Sequence, residues 1–445
     1  MSSIKTRVRA LDILNKAEKP GAHSSALLQR ASQEKDVNLG LLQRLVKGTL
    51  QWRTRLDEAI DELLGNKKDK LPLAVRNLLR MAAYQILFLK KVPMGLLCKE
   101  TLELAKPHAN VIGQRELESL LGRLEQAPKR KDSQRVSSTS AAGMAREFSH
   151  PQWVIERWIE ELGVEESAKL CQANNRPWPT TVRANTLRIS AHQLEKKFWQ
   201  EHVKVEACRY SPGCYRILEL PRHTRLHELE SFQRGLFQVQ DESSALVGLL
   251  VDARPGEFVL DMCAAPGGKA THLATLMKNR GKLLAIDNNA KKLSYIQENS
   301  RRQGLRIIQA KQADAAKLTL RTPADRVLLD APCSGLGVIG RKADLRWAKD
   351  AAEIVQLVAL QTKLLNNAAT LVRPGGVLVY STCTVERAEN EGVVENFLAS
   401  HKNFKVAAPS PELDKALFTK EGFLRTWPHR HRMAGAFAAV MERVS

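Results

Sequence analysis

The sequence has 445 residues, with 69 Lys and Arg against 48 Asp and Glu, and a formal net charge of +21. This length exceeds what one hydrophobic core normally supports, so it predicts two or three globular domains and excludes a disordered chain. The positive charge favours a polyanionic partner such as nucleic acid, because neutralised phosphates release counterions, although a surface tuned for solubility is the alternative.

The start of the chain predicts neither secretion nor membrane insertion. MSSIKTRVRALDIL is charged from Lys5 onward and lacks the apolar region of a signal peptide. The most apolar stretch, residues 81–89, is closed by Lys90 and Lys91 and is far shorter than the roughly 20 residues of a membrane span. Seven cysteines without a CxxC pair fit neither a disulfide framework nor a zinc site. We therefore expect a cytoplasmic protein with no membrane partner and no metal.

The first part of the chain is predicted to be helical. Apolar residues recur at helical spacing from residue 7 to about residue 126, as in LLQRLVKGTL at 41–50. PKRKDSQRVSSTSAA follows and has almost no apolar residue. These patterns predict a helical domain over 1–127 and a basic, Ser-rich linker over 128–147. A basic arm that touches RNA is the alternative for the linker.

The next segment changes to short strands, which predict a small α+β, RRM-like module over 148–240. The strand candidates are residues 180–187, 204–210, 215–220 and 236–241, with a helix at 191–199.

From residue 256 onward, strand-like apolar runs alternate with helices. The strand candidates are residues 258–263, 282–287, 307–313, 326–331 and 376–383. Such alternation predicts a Rossmann-like α/β domain of parallel strands over 241–445, with its ligands at the carboxyl ends of the strands.

The first motif of this domain is VLDMCAAPGGKATHLA, residues 259–274. A strand breaks here into small residues before a helix opens, which lets backbone N–H groups approach a ligand. The motif is not GxGxxG, and a Walker loop would need Gly in place of Cys263 and Ser or Thr in place of Ala270. ATP and NAD are therefore disfavoured, and an ordinary strand-to-helix turn is the alternative.

Two carboxylates follow the next strands. Asp287 ends LLAID, 18 residues after Lys269, where a carboxylate can accept the hydroxyls of a nucleoside ribose. Asp314 in QADAAKL is placed similarly, near an adenine. For both residues, a simple helix cap is the alternative interpretation.

Two further strand ends each carry a cysteine. RVLLDAPCSG brings Asp330 and Cys333 after one buried strand, and VLVYSTC ends the next on Cys383. Either cysteine alone is more simply explained as a small buried residue, because free Cys is among the most buried types. Together, at neighbouring strand ends beside a carboxylate, they predict a catalytic pair.

Two thiols beside a carboxylate suit the methylation of C5 of cytosine in RNA. C5 is a poor nucleophile, and a thiolate that adds to C6 turns the ring into an enamine whose C5 can attack a methyl donor. Asp330 would position the N3 and N4 edge of the base, and the second thiol would assist proton removal and release. The residues alone leave open which cysteine attacks.

These motifs together resemble the RNA cytosine-5 methyltransferases of the NOL1/NOP2/Sun family. The resemblance runs from about Phe148 to the C-terminus and rests on CAAPGGK, DAPCSG and STC. It implies that Cys383 is the nucleophile, that Cys333 aids product release and that S-adenosylmethionine is the cofactor. The implied cofactor contacts are Cys263, Ala264, Ala265, Pro266, Gly267, Gly268, Lys269, Asp287, Asp314 and Asp330.

The helical N-terminal segment, with RNLLRMAAYQILFL at 76–89, resembles the NusB-like RNA-binding domain of bacterial Sun/Fmu (RsmB) enzymes. This implies a multidomain 16S rRNA methyltransferase with a NusB-like bundle, an RRM-like module and a class I methyltransferase core. Two positions depart from the family, Ala436 in place of a Phe and MGLLCKETLELA in place of an acidic helix start. The C-terminal RTWPHRHRMAG is more similar to other branches of the family, which leaves a tRNA or 23S rRNA substrate open. The alternative of another class is a catalytically inactive RNA-binding or antitermination factor.

Overall fold

A computed structural model describes residues 3–19, 24–32, 34, 36–65, 71–89, 92–126, 138–222 and 224–444. The chain divides into two compact units. Unit 1 comprises Met1–Arg176 and Ile339–Asp350, and unit 2 comprises Pro177–Val338 and Ala351–Ser445. The predicted domain boundaries at residues 127, 147 and 240 stay predictions, and positions 128–137 of the predicted linker lie outside the described residues.

Unit 1 is helical, as the spacing of its apolar residues predicts. The apolar face of its third helix contributes Leu42, Leu45 and Val46, all fully buried, to a core shared with the first and fifth helices. Asn38 caps the start of that helix, because its side chain accepts a hydrogen bond from the backbone N–H of Leu41 at 3.0 Å. The helices are α1 (Ser3–Ala17), α2 (Ser24–Ala31), α3 (Leu39–Gln51), α4 (Arg53–Leu64), α5 (Leu73–Phe88), α6 (Met94–Ala105), α7 (Gln114–Gln126), α8 (Ala141–Phe148) and α9 (Gln152–Asn175).

The second piece of unit 1, Ile339–Asp350, is anchored by Arg346. This side chain is 1% exposed, and its Nη1 donates to the carbonyls of Gln51 at 3.0 Å and Ser149 at 2.9 Å. The same atom donates to Oδ1 of Asn175 at 3.0 Å. Burial lowers the pKa of Arg346 to about 9. One guanidinium therefore satisfies acceptors from three places in the helical unit.

Replacing Arg346 with alanine is expected to destabilise unit 1 by about 3 kcal/mol, since one buried and two partly buried acceptors lose their donor at a cost of about 1 kcal/mol each. Calorimetric unfolding of the full chain would measure this loss. Lys342→Ala, at an exposed position of the same segment, is the matched control and should leave unfolding unchanged. Equal stability of the two variants would contradict the anchoring role.

Unit 2 begins with a four-stranded antiparallel sheet. Its third strand along the chain pairs with the first and the second, and the first strand also pairs with the fourth. A helix connects the first two strands and packs Phe198 against Val182 and Phe237 on one face of the sheet. This is the predicted small α+β module. Its elements are β1 (Thr180–Ala184), α10 (Ala191–Gln200), β2 (Lys204–Ala207), β3 (Cys214–Glu219), α11 (Glu230–Gln233) and β4 (Phe237–Val239).

The other face of this small sheet is covered rather than open. Its side chains Arg183, Cys214 and Arg216 are all buried. Arg216 pairs with Glu242, which opens the first helix of the following domain, at 2.9 Å. RRM domains bind RNA bases on an open sheet face that carries aromatic residues. An RNA-binding role of the module stays a prediction, and it would have to use another surface.

The rest of unit 2 is an α/β domain around one mixed sheet. None of the helices in the described ranges is long and apolar enough to cross a membrane. The elements are α12 (Glu242–Val251), β5 (Phe258–Met262), α13 (Gly268–Leu276), β6 (Lys282–Asp287), α14 (Ala290–Gln303), β7 (Ile308–Gln312), β8 (Ala324–Asp330), α15 (Ala351–Leu371), β9 (Val372–Thr382), α16 (Glu391–Ser400), β10 (Phe404–Val406), β11 (Leu424–Thr426), α17 (Pro428–His431) and β12 (Ala436–Arg443).

The five predicted strands form the parallel part of this sheet, in the order β7-β6-β5-β8-β9. The strand β12 adds to β9 in antiparallel orientation, followed by β10, and neither pairing was evident from the sequence. The strand order reverses between β5 and β8, which is the switch point where ligands bind in such folds. The loops that follow these two strands hold the CAAPGGK and DAPCSG motifs.

Candidate active site

The loop after β5 is held in a tight turn. Cys263 has a φ of 61° and Gly267 a φ of 99°, so the predicted strand 258–263 ends one residue early, at Met262. The backbone N–H of Ala264 donates to the carbonyl of Ile286 at 2.8 Å. A Cβ at the Gly267 position would lie 3.1 Å from the Cα of Ile296, in a backbone conformation that favours glycine. The motif therefore holds its loop against the end of β6 and brings the N-terminus of α13 close to α14.

Asp287 fastens this loop from the neighbouring strand. Its two carboxylate oxygens accept the backbone N–H groups of Asn289 at 2.9 Å and Ala265 at 3.2 Å. Asp314 accepts the backbone N–H of Ala316 at 2.9 Å and so closes a turn; among the described residues no helix lies between it and β8, and the helix-cap interpretation of this residue is therefore wrong. Contacts of either carboxylate with a cofactor stay predictions.

Four carboxylates surround the loop. Burial raises the pKa of Cys263 to about 12, and the charges of Asp330, Asp287, Asp261 and Asp314 add to this effect. Asp261 is fully buried, and within the described part of the chain neither of its oxygens has a hydrogen-bond partner. Burial, and then the charge of Asp330, raises the pKa of Asp261 well above its usual range. This local charge suits a ligand with positive groups and disfavours one with phosphates.

Lys269 and Asp330 form an ion pair beside these carboxylates. Lys269 Nζ lies 2.7 Å from Oδ2 of Asp330, and the Ser381 hydroxyl donates to the other oxygen, Oδ1, at 2.8 Å. Burial by itself lowers the pKa of Lys269. The interactions with Asp330 and then with Cys383 are stronger than this effect, so the pKa of Lys269 is raised. The pair gives Asp330 a fixed orientation at the end of β8.

The two cysteines predicted to act together are in contact. The Sγ atoms of Cys333 and Cys383 are 3.3 Å apart, and the backbone N–H of Cys383 lies 3.4 Å from Sγ of Cys333. Cys383 is exposed, whereas Cys333 is partly buried. The hydrogen bond with Cys383, and then burial, raises the pKa of Cys333 well above its usual range. Cys333 therefore keeps its proton at neutral pH and can donate it towards Cys383.

The loop of Cys383 is braced by close backbone packing. The backbone N–H of Gly337 donates to the carbonyl of Cys383 at 3.1 Å, and that of Gly435 donates to the carbonyl of Gly337 at 2.9 Å. A Cβ at the Gly337 position would lie 2.1 Å from the Gly435 carbonyl oxygen and 2.8 Å from that of Cys383. Only glycine fits here without moving the cysteine.

Sequence reasoning did not single out three buried polar residues of this site, Asp261, Ser381 and Glu389. Signals existed for the first two, since Asp261 lies inside VLDMC and Ser381 inside STC. Glu389 lies in the charged run ERAENE, which reads as a surface segment. Its burial depends on tertiary packing, which no local pattern reveals.

Comparison with known families assigns all three regions of the chain. The NusB family matches residues 4–110, and the ferredoxin-like domain of RsmF/B-like methyltransferases matches residues 150–221. The family described as 16S rRNA methyltransferase RsmB/F matches residues 248–442. These matches confirm the predicted fold classes.

Individual relatives are similar over nearly the whole length. The probable ribosomal RNA small subunit methyltransferase B of Bacillus subtilis is 35% identical over 455 residues, covering 99% of each chain. The ribosomal RNA small subunit methyltransferase B of Pseudomonas syringae pv. tomato is 33% identical, over 81% of this chain and 79% of its own.

Solved structures extend this similarity. The crystal structure of PH0851 has a TM-score of 0.82 at 29% identity and covers 99% of this chain and 98% of its own. The structure of NSun6 from Pyrococcus horikoshii with SFG has a TM-score of 0.59 at 25% identity, over 66% of this chain and 98% of its own. The chain is thus a methyltransferase of the S-adenosylmethionine-dependent fold and belongs to the 16S rRNA methyltransferase RsmB/F family.

Proposed function

We propose that this enzyme methylates C5 of one cytosine in 16S rRNA through a covalent bond between Cys383 and C6 of the base. The observation that carries the proposal is the contact of two thiols, 3.3 Å apart, in the loops that follow β8 and β9, with Asp330 at the end of β8 and hydrogen-bonded to Ser381 of β9. Transfer to an exocyclic amine or a ribose hydroxyl needs no thiol, whereas C5 needs a nucleophile to activate the ring. The names of the relatives support 16S rRNA over tRNA or 23S rRNA.

The residues around the β5 loop fit S-adenosylmethionine. This cofactor would supply a methyl group on a sulfonium, and its positive sulfonium and ammonium groups match the surrounding carboxylates. In the proposal the loop from Cys263 to Lys269 approaches the cofactor through its backbone. Asp287 would accept the ribose hydroxyls, Asp314 would lie on the adenine side, and Asp330 would contact the amino-acid end.

Cys383 is the thiol that attacks the base. It is the more exposed thiol, and Cys333, which keeps its proton, can donate a hydrogen bond to its sulfur. As its thiolate, Cys383 forms a bond to C6, and the electrons of the C5–C6 double bond move to C5. C5 then forms a bond to the methyl carbon, whose bond to the sulfonium sulfur would break with its electrons remaining on that sulfur. Asp330 is held in place by Lys269 and Ser381. Its carboxylate accepts a hydrogen bond from the N4 amine of the cytosine and so fixes the base for this attack.

Release falls to Cys333. After methyl transfer the proton on C5 must leave, the C5–C6 double bond re-forms, and the bond from C6 to Cys383 breaks with its electrons returning to sulfur. Cys333, in contact with the departing sulfur, donates its proton to that sulfur and takes up the proton from C5 directly or through water, so that both thiols end protonated. The two thiols thus take different roles because their surroundings differ.

Unmodified 16S rRNA, incubated with the purified enzyme and labelled S-adenosylmethionine, tests this proposal. We expect the label in 5-methylcytidine after nucleoside digestion, and bisulfite sequencing should find one protected cytosine. The same reaction with tRNA and 23S rRNA is the control. Label in another nucleoside, or in the control RNAs alone, would contradict the proposal.

A further inference from the structure

A buried polar network joins the two loops that carry the thiols. Glu389 is fully buried, and its carboxylate accepts the backbone N–H of Ser334 at 2.9 Å together with the hydroxyl of the same residue. The Ser334 hydroxyl also lies 2.8 Å from the hydroxyl of Thr384. Ser334 directly follows Cys333, and Thr384 directly follows Cys383. One carboxylate therefore connects the neighbours of both thiols.

The same network is anchored in the body of the domain. Gln361 on α15 is fully buried, and its Nε2 donates to Glu389 at 2.9 Å and to the carbonyl of Pro332 at 2.9 Å. The Tyr380 hydroxyl, on β9, donates to the backbone carbonyl of Glu389 at 2.6 Å. Both the carboxylate and its backbone are thus fixed against elements that do not belong to the loops.

A carboxylate is the group that this position requires. Ser334 supplies two of its donors and Gln361 a third, the Thr384 hydroxyl adds to them, and a carboxylate accepts with all its lone pairs. An amide would present an N–H group to at least one of these donors. Burial raises the pKa of Glu389, whereas the hydrogen bonds from Ser334, Gln361 and Thr384 favour its charged form.

We propose that Glu389 is a positioning residue that holds Cys333 and Cys383 at the separation which the methylation reaction uses. It touches neither of the two thiols and fixes their positions through Ser334 and Thr384. Its charge also adds to the effects of the Cys383 hydrogen bond and of burial that raise the pKa of Cys333, which is why a variant that leaves this charge in place, Thr384→Val, belongs to the test. The catalytic meaning of this inference rests on the proposed function. The separation itself can be measured without RNA or cofactor.

The test uses Glu389→Gln, which keeps the shape of the side chain. Its amide N–H group would face the hydrogen-bond donors of Ser334 and Gln361. Diamide, a two-electron oxidant that takes up two hydrogens as two thiols join, converts Cys333 and Cys383 into a disulfide at a rate that depends on their approach. Mass spectrometry of the linked peptides follows this rate in the RNA-free full chain. We expect it to fall about tenfold, and kcat for methyl transfer to fall about 100-fold with KM for RNA unchanged, because misplacement of about 1 Å costs about that much.

The matched control is Glu242→Gln. Glu242 is also buried, but its carboxylate pairs with Arg216 at 2.9 Å and accepts the backbone N–H of Tyr210 at 2.7 Å, far from the thiol loops in sequence. Its replacement should lower the melting temperature and leave the diamide rate unchanged. A folded Glu389→Gln that oxidises at the wild-type rate would overturn the proposal, and so would an equal slowing by Glu242→Gln.

A second variant covers the case in which Glu389→Gln does not fold. Thr384→Val keeps the side-chain shape and removes only the hydroxyl that meets Ser334, so the disulfide should form severalfold more slowly. A wild-type rate in this variant would also overturn the positioning role. If the slowing is observed but the wild-type enzyme makes no 5-methylcytidine, the positioning role stands and the proposed function fails.

Discussion

Cys383→Ala is expected to reduce methyl transfer to background, a loss of about 10⁴-fold or more, because removal of a covalent nucleophile typically costs that much. Binding of S-adenosylmethionine, measured by calorimetry, should stay within about twofold, since Cys383 lies outside the β5 loop. Rates are measured as label transferred to 16S rRNA under single turnover.

The control for this variant is Cys171→Ala. Burial raises the pKa of Cys171 to about 12, so this thiol has no route to a nucleophilic thiolate at neutral pH. The control should retain the wild-type rate. Methyl transfer by Cys383→Ala at a comparable rate would mean that the bond to C6 is made by another residue or not at all.

Cys333→Ala is expected to trap the enzyme on its RNA. The nucleophile remains, so attack and methyl transfer proceed, but the thiol that assists proton removal and release is gone. Loss of one general acid or base slows a step by about 10²- to 10⁴-fold. A protein–RNA band that survives denaturing electrophoresis should therefore accumulate towards one equivalent of enzyme.

The double variant Cys333→Ala/Cys383→Ala separates this adduct from other crosslinks, because it should form no band. If Cys333→Ala turned over normally and left no adduct, the roles assigned to the thiols would be wrong. The reverse pattern, with an adduct only when Cys383 is removed, would exchange the two roles.

The parallel strands and their ends were accessible from the sequence because their signals are local. Each predicted strand is an apolar run closed by a small or polar residue, and parallel strands bring their carboxyl ends to one edge. Asp330 and Cys383 therefore could be expected near each other, although about 50 residues separate them. The same reasoning placed Cys333 beside Cys383.

The asymmetry between the thiols could not be predicted from the sequence. It arises from a 3.3 Å contact and from the difference in exposure between Cys333 and Cys383, both of which depend on how two loops pack. Glu389 and Gln361 were missed for a related reason. Glu and Gln are mostly exposed residue types, so their burial follows only from the assembled fold.

The anchoring of Arg346 has a consequence for the modularity of the chain. Unit 1 is discontinuous in sequence, since Ile339–Asp350 is inserted between two strands of the α/β domain. A gene fragment that ends at Arg176 would encode helices α1 to α9. It would lack Arg346, which donates to the carbonyls of Gln51 and Ser149. The helical unit therefore cannot be exchanged between related enzymes as one continuous segment of sequence. A chimaera that keeps this unit intact must take residues 1–176 and 339–350 from the same parent.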